Sequence, residues 1–135
     1  MPRENVEIVK RMLEQFSAGD VERWLDYWDR EAEWMAVGFG ALEGQPRVYS
    51  GHDGLRRFHA DALETFAQMR VDPTHIRDTE DRVVVLGDFR ATGATSGASF
   101  AAPMAWLFEL QDGMVVRGRD YLDQQEALKA VGLAE

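Results

Sequence analysis

The chain contains no cysteine. That excludes disulfides, thiolate nucleophiles and cysteine-ligated metals. Its three histidines, His52, His59 and His75, are too scattered to form a recognisable metal motif. No glycine-rich phosphate loop leads from a strand into a helix. Neither a metal nor an organic cofactor is therefore expected. Basic residues are also scarce: 15 Lys and Arg stand against 24 Asp and Glu, for a net charge of −9. A phosphate-backbone binder needs a basic footprint, so a nucleic-acid partner is not expected. The acid is spread along the chain without an acidic tail, which reads as solubility. No apolar run approaches the roughly 20 residues needed to span a membrane. Met1-Pro2-Arg3-Glu4-Asn5 lacks the apolar core of a secretory leader. These absences point to a cytoplasmic protein with no membrane partner.

What is present suits one globular domain over residues 1–135, long enough for an apolar core without staples. Val6, Val9, Leu13 and Phe16 recur at helical spacing, widened by Ile8 and Met12. Gly19 closes that helix as a C-cap, and Asp20 caps a second one with Val21, Trp24, Leu25 and Trp28 inward. Ala32 to Phe39 reads as a first strand. The segment from Gly40 to Val48, with Gly44 and Pro46, reads as a loop near a pocket mouth, with Arg47-Val48-Tyr49 as a possible short strand. Ser50-Gly51-His52-Asp53-Gly54 starts a third helix with Leu55, Phe58, Ala62, Phe66 and Met69 on one stripe, ended by Asp72-Pro73. A strand near Thr74 to Asp78 follows. Three antiparallel strands come next: one from Val83, one over Phe100 to Leu110, and one from Met114. Asp123 and Glu126 form a capping box for a last helix, with Leu122 and Ala127 at staple spacing and Gly132 as C-cap.

This is an α+β order. It predicts about six strands in a curved antiparallel sheet, packed against three helices of the N-terminal half and leaving a cavity between, plus a short C-terminal helix. The strand Phe100 to Leu110 is apolar on both faces, whereas a sheet covered on one side should alternate with polar residues. A homodimer is therefore expected, with the face around Trp106 and Phe108 buried between subunits.

The pattern resembles the SnoaL-like, polyketide cyclase-like branch of the nuclear transport factor 2-like superfamily. The resemblance rests on Phe16-Ser17-Ala18-Gly19-Asp20, on Tyr49-Ser50-Gly51-His52-Asp53-Gly54-Leu55-Arg56-Arg57-Phe58, on Asp112-Gly113-Met114-Val115-Val116-Arg117, and on Tyr121-Leu122-Asp123 through Gly132-Leu133. It covers nearly the whole chain. It implies a cone with an internal pocket, usually in a dimer, and a small apolar or polyketide-like ligand. It does not fix the chemistry.

Ketosteroid isomerase-like chemistry would need acids where Ala36 and Ala105 fall, and a Tyr where Met12 falls, so it is not expected. Epoxide hydrolase-like chemistry uses an Asp-Arg-Asp set. Asp120, in Arg119-Asp120-Tyr121-Leu122-Asp123, matches the last member of that set. Asp88 and Arg90 offer the other pair in reversed order, and its water-holding positions fall on Trp34 and Ala36. The resemblance thus implies catalytic roles for Asp120, Arg90 and Asp88, and pocket roles for Trp34, Ala36, Ala105 and Leu107. Asp88 and Arg90, two apart on a strand, share a face; a rim ion pair is the alternative. A carboxyl in an apolar cone would have a raised pKa and could act as general acid or base. His59 lies beside the apolar stripe of its helix and could reach the pocket as a proton carrier, or sit at the surface. The function expected is binding of a compact, largely apolar molecule, with cofactor-independent cyclisation, dehydration or hydrolysis if the protein is an enzyme. A non-catalytic carrier and a dimerising interaction module are the alternatives.

Overall fold

The structure is a computed structural model, which describes residues 2–40 and 45–133. In chain order its elements are α1 Pro2–Ala18, α2 Val21–Leu25, β1 Trp28–Ala36, α3 Val37–Gly40, β2 Arg47–Ser50, α4 Gly51–Thr65, β3 Phe66–Thr79, β4 Arg82–Gly93, β5 Ser99–Gln111, β6 Met114–Tyr121 and α5 Gln124–Ala130. The strands form one curved, unclosed sheet in the order β2-β1-β6-β5-β4-β3. Every pair is antiparallel except β1–β6, which is parallel, so the sheet is mixed. Register shifts interrupt three of the pairs. Such bulges bend and twist a strand locally, which suits a sheet that wraps around its helices.

The helical hairpin forms as its sequence predicts. Val9, Met12 and Leu13 are buried along α1. Gly19 adopts φ +77°, and Asp20 N–H returns to the Gln15 carbonyl at 3.1 Å, so the chain turns where a left-handed residue is needed. The Asp20 carboxylate then accepts from Arg23 N–H at 3.2 Å. Ser17 Oγ accepts the Val71 N–H at 3.1 Å, tying the end of α1 to the edge strand β3.

Several boundaries differ from the sequence reading. Trp28 opens β1 instead of closing α2, because β6 draws the chain into the sheet: Val115 N–H donates to the Tyr27 carbonyl at 2.9 Å, and Trp28 lies opposite Val115. The first strand therefore runs Trp28–Ala36 rather than Ala32–Phe39. The third helix stops at Thr65, and Phe66 and Met69 begin a 14-residue strand. Pro73 does not end an element but sits within β3. That strand is at the sheet edge, where a residue without an N–H is tolerated, and the register shifts between Pro73 and His75. Of the expected mouth loop, residues 41–44 lie outside the described residues, while Arg47–Ser50 form the short strand β2.

The two faces of the sheet are the reverse of the expected assignment. Trp106 and Phe108 lie on the helix side with Val83, Val85 and Trp28. Ala105 and Leu107 lie on the outer side, packed with Val84, Tyr121 and the α5 residues Ala127 and Val131. Size explains this: Ala105 opposite Ala127 lets α5 approach closely, while the large rings fill the wide concave side. The second apolar face of β5 is thus covered at this point by the chain's own last helix, not by a partner. Asp123 caps that helix by accepting from Gln125 N–H at 2.8 Å. Gln124 Nε2 pins it to the Met104 carbonyl at 3.1 Å.

Gly87 marks the closest approach of β4 to β3. A Cβ there would collide with the Asp72 carbonyl and lie 2.9 Å from Pro73 Cα. Both are backbone atoms, which cannot rotate away. Gly87→Ala should therefore lower stability by about 1–3 kcal/mol in a urea titration, as overpacking does; an unchanged midpoint would contradict this register.

Candidate active site

Between the concave face of the sheet and the helices lies a cavity of about 360 Å3. Rings from β1 and β5 line it and meet over β6. Gly118 points inward without a side chain, and a Cβ there would lie 2.9 Å from Phe108 Cδ1 and 3.0 Å from both Trp28 Cη2 and Trp34 Cε3. Three rings can meet over this strand only because the position is empty. Trp28 and Trp34 are 6.0 Å apart edge to face, and Trp34 stacks on Phe108 at 6.2 Å and 19°. Offset stacks and T-shapes are the favoured geometries for aromatic quadrupoles.

At the other end Phe66, Phe89 and Phe100 form a second ring cluster, with centroids 5.4–6.3 Å apart. Phe100 and Leu122 line the cavity and are also 45% and 54% exposed, which marks where it opens. Leu122 thus lies at the mouth.

Asp120 is the one charged residue lining the cavity among the described residues. It follows Gly118 on the inward face of β6 and lies across from Trp106 on β5. Only 7% of it is exposed. Its two carboxylate oxygens accept separate backbone bonds, from Val37 N–H at 2.6 Å and from Gly38 N–H at 3.1 Å. Gly38 leaves room for this: a Cβ there would lie 3.2 Å from Oδ2. Burial pushes the carboxyl above its ordinary value; the bonds from Val37 and Gly38 and the Arg119 charge pull the other way without cancelling it. Arg119 does not bridge to the carboxylate. Its guanidinium lies 3.8 Å above the Tyr121 ring, and its Nε reaches the Asp120 carbonyl at 3.4 Å.

The other expected site residues divide. Trp34 and Ala36 line the cavity with Asp120. His59 lies just behind the wall, 6.4 Å from the rings of both Phe16 and Trp24, and burial pushes its pKa down. Asp88 and Arg90 do share a face, but it is the outer one. Arg90 Nε donates to Asp72 at 2.7 Å, and Arg90 Nη2 lies 3.9 Å from Asp88. They form a rim ion-pair cluster with Arg70, not part of the cavity wall. Ala105 and Leu107 lie beneath α5 instead. Trp106 and the mouth phenylalanines were missed as pocket residues. Trp106 carried a usable signal, since it alternates with Ala105 on a strand whose larger face must fill the wider side. No group of three or more His, Asp or Glu among the described residues stands close enough to hold a metal. No helix among them is long and apolar enough to cross a membrane.

The chain belongs to the SnoaL-like domain family, whose model matches residues 9–118. Solved structures share its fold. A protein of unknown function from Burkholderia pseudomallei, described as NTF2-like, is 23% identical with a TM-score of 0.80, over 95% of this chain and 97% of that one. TerC, co-crystallised with polyporic acid, is 23% identical with a TM-score of 0.79, again over 95% and 97%. A protein of Jannaschia sp. CCS1, provisionally described as a SnoaL-like polyketide cyclase, is 21% identical with a TM-score of 0.76, over 99% and 95%. No curated protein matches the chain. At these identities the likeness establishes the fold, not the chemistry.

The empty position at Gly118 makes a direct prediction. Gly118→Ala should force Trp28, Trp34 or Phe108 off its packed position, lower stability by about 1–3 kcal/mol, and change the tryptophan emission spectrum. A variant with unaltered stability and emission would mean that the three rings do not meet on β6.

Proposed function

We propose that this SnoaL-like protein binds a compact, largely apolar small molecule in its cavity and moves a proton on it through Asp120. The observation that carries the reading is a lone, buried carboxyl on the wall of an otherwise apolar cavity. A carboxyl shifted upward by burial can hold a proton nearer neutral pH than an ordinary Asp, which suits a general acid or base. The substrate chemistry that fits best is a carbonyl compound with an acidic C–H, as in aldol-type cyclisation or dehydration. TerC, co-crystallised with polyporic acid, and the Jannaschia protein support a small-molecule role for the fold.

A carrier without catalysis is the second reading. The observation that favours it is that both carboxylate oxygens already accept backbone N–H bonds, so Asp120 also anchors the start of α3. The two readings separate on turnover, not on binding. The proposal includes a homodimer, joined on the outer sheet face where Ala101 and Pro103 are exposed. Sedimentation at micromolar concentration tests this, and a monomer there removes it.

Proton exchange offers a test without knowledge of the natural substrate. The compact bicyclic ketone 2-tetralone has acidic hydrogens beside its carbonyl, whose exchange in D2O can be followed by NMR. The protein should accelerate that exchange, and Asp120→Asn should reduce the acceleration by about 10^2–10^4-fold while leaving tetralone binding in place. Binding without accelerated exchange would hand the site to the carrier reading.

A further inference from the structure

The cavity has a definite electrostatic sign. Its lining contains one carboxyl and no Lys, Arg or His. Among the described residues, no basic side chain lies within ion-pair distance of the Asp120 carboxylate. The backbone bonds from Val37 and Gly38 occupy one site on each oxygen, and the residue's own N–H also favours the carboxylate. A carboxylate offers about four acceptor sites in all, so capacity remains for a donor from the cavity. Around it stand aromatic side chains. Trp106 is its direct cross-strand neighbour, and Trp34 lies over Gly118, the preceding inward position on β6. Aromatic faces carry negative electrostatic potential, which attracts cations and repels anions.

We propose that the cavity is built to take an apolar organic amine in its protonated form, with the ammonium group on the Asp120 carboxylate and against the face of Trp106. This rests on the reading that the cavity binds a small molecule, and it names the class of that molecule. A buried carboxylate without a counter-ion is costly, and a ligand that brings the counter-ion offsets that cost. The ammonium donates to the free acceptor sites of the carboxylate in a charge-assisted bond. The rest of the ligand, apolar and compact, meets the tryptophan and phenylalanine walls. A carboxylate ligand of the same shape would face a like charge and the negative faces of the rings. The net charge of −9 acts in the same direction at longer range, raising the local concentration of cations over anions. The selection concerns binding and holds whether or not the protein turns the ligand over.

Three probes on one frame isolate the charge: 1-naphthylmethylamine, 1-naphthalenemethanol and 1-naphthoate, titrated calorimetrically at neutral pH. The amine is protonated there, as a lysine side chain is. It should bind about ten-fold more tightly than the alcohol, with the naphthoate weakest. In Asp120→Asn the amine should fall to the affinity of the alcohol. Retained alcohol binding shows in the same experiment that the cavity of the variant is intact. Trp106→Leu gives a second handle if that variant does not fold: it should weaken the amine more than the alcohol. Equal binding of amine and alcohol to the unaltered protein overturns the amine proposal and leaves the small-molecule reading standing. So does tightest binding by the naphthoate, or an amine preference that survives Asp120→Asn. Failure of all three probes to bind overturns the small-molecule reading and the amine proposal with it.

Discussion

The structure depends on a strand position with no side chain. Gly118 sits on β6, between β1 and β5 in the middle of the sheet. Trp28, Trp34 and Phe108 converge on it from three directions, each about at contact with the place where a Cβ would stand. If that volume were filled, at least one of the three rings would have to shift from its packed position. Two residues further along the same face, the strand carries Asp120. One strand therefore carries both the position over which the rings meet and the cavity's single charge.

The state of that charge is a contest between burial and hydrogen bonding. Two backbone N–H groups favour the carboxylate, and Arg119 adds a weaker pull from the other side of the strand. Removal from water opposes them and is the largest effect. The donors come from Val37 and Gly38, the residues that follow β1. The shape of the cavity next to Asp120 is thus linked to whether the carboxyl is ionised. A ligand that supplies a positive charge favours the ionised form, and an apolar neutral ligand favours the protonated one. The same residue can serve proton transfer or cation recognition according to what enters.

Much of the fold was legible because its signals were local and strong. The Gly19 turn, the Asp20 and Asp123 caps and the last hairpin all follow from residue types at fixed offsets. What was not legible depended on partners far along the chain. Trp28 continues a helical stripe until Val115 pairs beside it. Phe66 and Met69 also continue a stripe, and only the long pairing with β4 makes them strand residues. In the site, Asp120 and Trp34 were recoverable from the order of motifs. Asp88 and Arg90 were correctly read as sharing a face, but Val83, Val84, Val85 and Leu86 are apolar on both sides of β4. Alternation therefore carried no sign, and the outer face won. The same ambiguity on β5 exchanged Ala105 for Trp106, and α5, which resolves it, lies beyond the strand itself.

Asp120 is an acid held in an apolar cavity. Carbon-detected NMR of carboxyl-labelled aspartate, with Asp120→Asn to assign the signal, tests it most directly. A carboxyl so buried should show a titration midpoint above the ordinary value of 3.8. A midpoint at or below that value would show that the Val37 and Gly38 bonds outweigh burial, and that the carboxyl serves as an anchor and not as an acid.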